Sequence, residues 1–225
     1  MHVLLFDIDG TLLSSGGAGQ AAMEDALRTE FGVTARTEGI AYAGRTDRAI
    51  TSDMALFHEL STDDETHQRF LAAYLSHLPN RLAERAGLVL PGVRELLDAL
   101  SERSDTVLGL LTGNFGRGAQ TKLEHFELHH HFEFGGFGDV HHDRDDVARE
   151  ALAAAEEHLN GTSDATRTWV VGDTPADVRC GRAIGARVVA VATGIIDATE
   201  LEAAEPDHLF EDFSDPSAML ELLDG

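Results

Sequence analysis

Short apolar runs at residues 3–6, 107–111, 169–171 and 188–192 constrain this chain most. They are rich in Val and Leu and show no alternating polar face. Continuous runs of this length suit strands covered on both sides. Helical patterns separate them at residues 92–100, 119–126, 146–158 and 176–184. Strand alternating with helix predicts an α/β fold: a parallel sheet with helices on both faces. Residues 132–137, with Phe132, Phe134 and Phe137 as a core-facing set, and residues 208–210 are weaker strand candidates. The stretch 206–223 reads as a last short strand and helix closing the sheet.

One block breaks the alternation. Residues 19–85 carry only helical patterns, at 21–31, 48–60 and 64–86. A helical insert between the first two strands predicts a cap over residues 15–87, above a core built from 1–14 plus 88–225. Hinges are expected at 14–19 and 87–91, the first rich in glycines that permit large backbone changes.

Bulk properties exclude several classes. The 225 residues are 43% hydrophobic and 25% charged, which predicts a packed core. No apolar run approaches the roughly 18–20 residues needed to span a bilayer. The start, Met1 to Asp7, lacks the basic and apolar regions of a signal peptide. A lone cysteine, Cys180, cannot pair within the chain, and its helical position predicts packing rather than reactivity. A cytoplasmic protein is expected. The net charge of −23 opposes nucleic-acid and anionic-membrane partners. Of 17 basic residues only Lys122 is lysine, which fits either a high-salt habitat or a GC-rich genome.

Ligands of open parallel sheets bind beyond the carboxyl ends of the strands. The first run is followed by Asp7-Ile8-Asp9-Gly10-Thr11, the second by Thr112-Gly113-Asn114, the third by Gly172-Asp173-Thr174-Pro175-Ala176-Asp177. Each alone has an ordinary structural reading, as a turn, a strand end or a capped helix start. Together they bring four carboxylates to one sheet edge. Such crowding calls for a hard divalent cation with oxygen ligands. A carboxylate beside the metal can attack phosphorus, and a second, two residues on, can serve the leaving oxygen.

These motifs, in this order and spacing, resemble those of the haloacid dehalogenase superfamily of hydrolases. The resemblance covers the whole chain and implies a Rossmann-like core. It implies that Asp7 is nucleophile and magnesium ligand, and that Asp9 is general acid/base and ligates Mg2+ through its carbonyl. Thr112 would bind the transferring phosphoryl group, helped by the N–H groups of Gly113 and Asn114. Asp173 would ligate the metal, and Asp177 would ligate it or hold its water shell. The family's Lys-Pro pair is missing, so its cation is either Arg144 or Lys122, the latter with a surface pairing to Glu124 or Glu127 as its ordinary reading. The insert is similar to the helical cap of the phosphoglycolate phosphatase and β-phosphoglucomutase subgroup. Its loop Gly44-Arg45-Thr46-Asp47 would face the site, with Arg45 or Thr46 touching the substrate, although Thr46 also reads as a helix cap.

A phosphatase for small phosphorylated metabolites is expected, with phosphoglycolate as the nearest guess. A phosphomutase is the alternative. A dehalogenase is disfavoured because its relatives lack an acid at the place of Asp9. An inactive binding protein is disfavoured by the intact motifs. His129-His130-His131 and His141-His142 have no zinc-site spacing and predict a solvated loop. Oligomeric state is left open.

Overall fold

The computed structural model describes residues 1–33, 37, 39–161 and 167–224. The chain opens with β1 (His2–Phe6), β2 (Leu13–Ser14) and three helices, α1 (Ala18–Phe31), α2 (Asp47–Phe57) and α3 (Asp64–Glu84). It returns through β3 (Leu88–Val89), α4 (Val93–Ser101), β4 (Thr106–Leu111), α5 (Gly116–His125) and β5 (Phe134–Gly136). The remainder is α6 (Arg144–His158), β6 (Thr168–Gly172), α7 (Pro175–Ala183), β7 (Arg187–Val191), α8 (Ala198–Ala203), β8 (His208–Phe210) and α9 (Ser217–Asp224).

Six of these strands form one parallel sheet in the order β5-β4-β1-β6-β7-β8. Successive side chains of a strand point to opposite faces, and both faces here are covered. Leu4 and Phe6 pack with Leu96, Leu97 and Leu100 of α4 and with Met219 and Leu223 of α9. Val3 and Leu5 pack with Val147, Ala148 and Ala151 of α6 and with Cys180 of α7. The strands therefore need no polar face, as their continuous apolar runs predict. The first cluster runs on into α1, α2 and α3 through Met23, Leu27, Met54, Tyr74 and Leu78.

Both connections to the three-helix block pass through one small ribbon. β2 pairs antiparallel with β3, Leu13 opposite Val89 and Ser14 opposite Leu88. Leu90 extends it by donating its N–H to the Leu12 carbonyl at 3.0 Å.

Several boundaries differ from the sequence reading. Helix α5 starts at Gly116 rather than 119, because Gly116 and Gly118 add no side chain to the apolar period. Its first N–H groups are capped from afar: Phe115 donates to Asp47 Oδ2 and Gly116 to Asp139 Oδ2, each at 2.8 Å. Helix α6 starts at Arg144 rather than 146 because Asp143 accepts the Asp145 N–H at 3.0 Å. β5 spans only Phe134–Gly136, and buried Phe132 precedes it, edge-on to Phe6. His129–His131 form a 3-10 turn in which His129 and His130 are exposed, as a solvated segment predicts, with His131 Nδ1 3.0 Å from the Ser101 hydroxyl.

Candidate active site

β4, β1 and β6 are neighbours, so the residues following them meet at one sheet edge. Asp7 follows β1 and remains in the ladder, donating its N–H to the Val171 carbonyl at 2.9 Å. Thr112 follows β4 and donates its N–H to the Gly136 carbonyl at 3.2 Å. Asp173 follows β6, buried, and accepts from the Thr11 hydroxyl at 3.1 Å. These side chains thus sit at the carboxyl edge of the three central strands.

Asp7, Asp173 and Asp177 each bring a carboxylate oxygen within 4.8 Å of the others. All three are buried. Burial first, and then repulsion from Asp177, raises both Asp7 and Asp173 above the usual carboxylate range, while Arg144 opposes the shift. The cluster has more negative charge than one guanidinium offsets. Its oxygen-only donors fit a hard divalent cation. Gly10, at φ +87°, and Gly194 flank the Asp173 carboxylate: a Cβ would lie 2.3 Å from Asp173 Oδ2 at Gly10 and 1.7 Å at Gly194. That space is open only because neither residue has a side chain.

Asp177 has other duties besides. Its Oδ2 accepts from the Thr174 hydroxyl at 2.6 Å and from the Thr174 N–H at 3.0 Å, the capping box of α7. Its Oδ1 accepts from Arg144 at 2.5 Å. This agrees better with a role in holding Arg144 and the surrounding shell than with direct ligation alone.

The two cations posed as alternatives are both present, serving different carboxylates. Arg144 is buried, 3.4 Å from Asp7 Oδ2. Lys122, also buried, reaches back from α5 to Asp9 Oδ2 and Asn114 Oδ1, each at 2.5 Å. The surface pairing of Lys122 with Glu124 or Glu127 is thereby overturned: one turn of α5 carries its ammonium inward. Asp9 also accepts from Asn114 Nδ2 at 3.0 Å and from the Ser15 hydroxyl at 3.2 Å. Burial works against the Asp9 charge, but Lys122, Asn114 and Ser15 outweigh it and hold the carboxylate below its ordinary range.

Thr112 is fully buried, and its hydroxyl helps hold Asp7 ionised while accepting from Asn114 Nδ2 at 2.8 Å. The Asn114 N–H leans on the same hydroxyl at 3.3 Å. Gly113 meets the three-helix block directly: a Cβ there would lie 2.0 Å from the Arg45 carbonyl.

The loop before α2 clasps the core by main-chain bonds. Asp47 donates its N–H to the Gly113 carbonyl at 2.6 Å, and Arg48 to the Gly138 carbonyl at 3.2 Å. Of the two residues expected to touch substrate, Arg45 lines the cavity, but its guanidinium is turned to Asp53, 2.7 Å away. Thr46 is corrected: it is fully buried, accepts the Ala49 N–H at 3.1 Å and donates to the His142 carbonyl at 3.3 Å. It is a helix cap and a latch, and it does not line the cavity as its neighbours Arg45 and Asp47 do.

Sequence reasoning passed over Asp47 and Tyr74, both of which line the same cavity of about 410 Å³. Burial pushes the Asp47 acid up to about 7, against the pull of Lys122 and the Phe115 N–H. Asp47 was readable as the neighbour of the expected contact residues. Tyr74 gave no signal, since an aromatic on the apolar side of a long helix reads as core.

A parallel α/β core with buried carboxylates at its carboxyl edge, under a helical insert, defines a class of hydrolases. Residues 4–191 match the haloacid dehalogenase-like hydrolase family, and the chain belongs to it. It is 27% identical over 223 residues to the "Probable phosphatase IndB" of Dickeya dadantii, covering 95% of this chain and 90% of that one. It is 24% identical over 212 residues to the phosphoglycolate phosphatase of Mesorhizobium japonicum, covering 94% and 91%. In structure it is similar to CbbY from Rhodobacter sphaeroides in complex with phosphate, with a TM-score of 0.75, 19% identity and 96% of each chain covered. The family makes this chain a hydrolase, and both of these relatives carry phosphatase names. Among the described residues no helix is long and apolar enough to cross a membrane.

Proposed function

We propose that this is a magnesium-dependent phosphomonoesterase for small phosphorylated metabolites, working in the cytoplasm through an aspartyl-phosphate on Asp7. One observation carries it: Asp7 stands buried beside Arg144, Asp173 and Asp177, while Asp9 is held apart by Lys122. Two carboxylates two residues apart thus have opposite environments, which is how acid–base and nucleophilic roles are separated.

Asp7 and Asp173, with the Asp9 carbonyl, would hold Mg2+, and Asp177 would steady the shell around it. When bound, the ion would offset phosphate charge and polarise a phosphoryl oxygen. Asp7 attacks phosphorus, and the ester oxygen leaves with a proton from Asp9. Asp9 then takes a proton from water as that water attacks the phosphorus, and Asp7 is released. Lys122 keeps Asp9 ionised in the resting site, which suits the second step. The charge of an arriving phosphate raises the proton affinity of Asp9 and suits it to the first. Arg144, Thr112 and the Gly113 and Asn114 N–H groups bind the phosphoryl oxygens, on which transition-state charge is spread. Residues 15–87 would act as the cap that excludes water, over a core of 1–14 and 88–225. The name of the Mesorhizobium relative places phosphoglycolate among the first esters to assay.

With Mg2+ and p-nitrophenyl phosphate, the protein is expected to turn over, and Asp7→Asn to lose roughly a thousand-fold or more. Equal turnover by Asp7→Asn, or turnover indifferent to chelation, would reject the assignment.

A further inference from the structure

The cavity above Asp7 is fitted for one kind of leaving group. Among the described residues, every cationic side chain lining it already has a carboxylate partner: Arg144 has Asp7 and Asp177, Lys122 has Asp9, and Arg45 has Asp53. Asp47 adds an acid to the same wall. Beyond the phosphate, a second anionic group would meet acids and, among the described residues, no unpaired cation. The wall is not apolar either. Met23 and Ile50 supply apolar surface, but Tyr74 is fully buried with a hydroxyl that has no hydrogen-bond partner among the described residues. A buried, unpaired hydroxyl is costly, and a polar ligand group is what would relieve it. Tyr74 reaches from α3 across to α5, where a Cβ on Gly118 would stand 3.0 Å from its oxygen. Its ring lies edge-on to Phe115, 5.8 Å between centroids, so its position is set by packing. Burial, with Asp47 and Asp9 near, keeps the phenol protonated as a donor.

Resting on the phosphatase reading, we propose that Tyr74 is a specificity residue that hydrogen-bonds a hydroxyl of an uncharged, polyhydroxylated leaving group. The enzyme therefore selects polyol phosphate monoesters over esters whose leaving group bears a carboxylate. A site built to bond a substrate hydroxyl discriminates strongly against analogues that lack it.

The test compares kcat/KM for sn-glycerol 3-phosphate, ribitol 5-phosphate, propyl phosphate and 2-phosphoglycolate, in wild type and Tyr74→Phe. At least one polyol ester is expected to exceed both propyl phosphate and 2-phosphoglycolate by about ten-fold or more. Tyr74→Phe is expected to lower the polyol-to-propyl ratio by about ten-fold, the worth of one hydrogen bond. It should not lower Tm, because the lost hydroxyl had no partner in the fold. A merely structural tyrosine would leave that ratio unmoved. An unchanged ratio in Tyr74→Phe, or 2-phosphoglycolate as the preferred ester, overturns the inference while turnover itself still supports a phosphatase. Failure of all four esters and of p-nitrophenyl phosphate instead removes the reading beneath it.

Discussion

At the scale of single residues, two buried cations divide the acids of the site between them, Arg144 beside Asp7 and Asp177 and Lys122 beside Asp9. Lys122 shows why this was only half legible. Glu124 and Glu127, close by in sequence, offer surface acids as partners, and nothing local reveals that Asp9, 113 positions away, lies on the other side. Arg144 and Lys122 looked like competitors because both satisfy the same motif; in three dimensions they neutralise different carboxylates. His67 offers a titration that can be checked. Burial lowers it to about 4 from its ordinary 6.5, with Arg48 and His142 adding to the shift and Asp64 opposing it. It rests edge-on against Phe115, 5.5 Å between centroids. Between those two pH values the unfolded chain binds a proton that the folded chain refuses, so stability rises with pH there. The contribution is complete above about 6.5 and drains as pH falls toward 4. Thermal melts from pH 7.5 to 4.5 should therefore slope less in His67→Phe than in wild type; identical slopes would contradict the assignment.

At the scale of elements, the strands and their polar sequels were plain because burial on both faces leaves an unmistakable run. Helix starts were less plain. The first turn of α5 is glycine-rich and is capped by Asp47 and Asp139, from two distant segments, so no local signal marks it. The cap loop raises the same difficulty: Thr46 carries a familiar capping pattern, yet only the fold shows that it also bonds the His142 carbonyl. Gly113→Ala probes this junction. Its new methyl would collide with the Arg45 carbonyl, 2.0 Å away, and push the loop off the core. KM should rise about ten-fold or more, as misplacement of a positioning element does, and hydrogen exchange at residues 44–48 should quicken. Unaltered exchange with unaltered KM would mean the loop is not seated by this contact.

At the scale of the whole molecule, the architecture was largely readable, whereas the cavity's selectivity was not, since it depends on which side chains from three helices converge. The net charge of −23 acts on everything at once. Self-repulsion of this size destabilises a compact state and is screened by salt, with a Debye length near 10 Å at about 0.1 M and about 3 Å at 1 M. Tm should climb as potassium chloride is raised from about 0.01 to 1 M; a flat or falling curve would show that local ion pairs outweigh the global field. The same chain also ties its helical insert to the edge of its sheet. The Asp47 N–H holds the Gly113 carbonyl at 2.6 Å, and Gly113 stands between Thr112 and Asn114. Were the helical insert to lift from the core, it would pull on the peptide between Thr112 and Asn114, which the proposed mechanism turns toward the phosphoryl group. On the proposed reading, an enzyme left ajar would catalyse poorly and so be protected from idle hydrolysis.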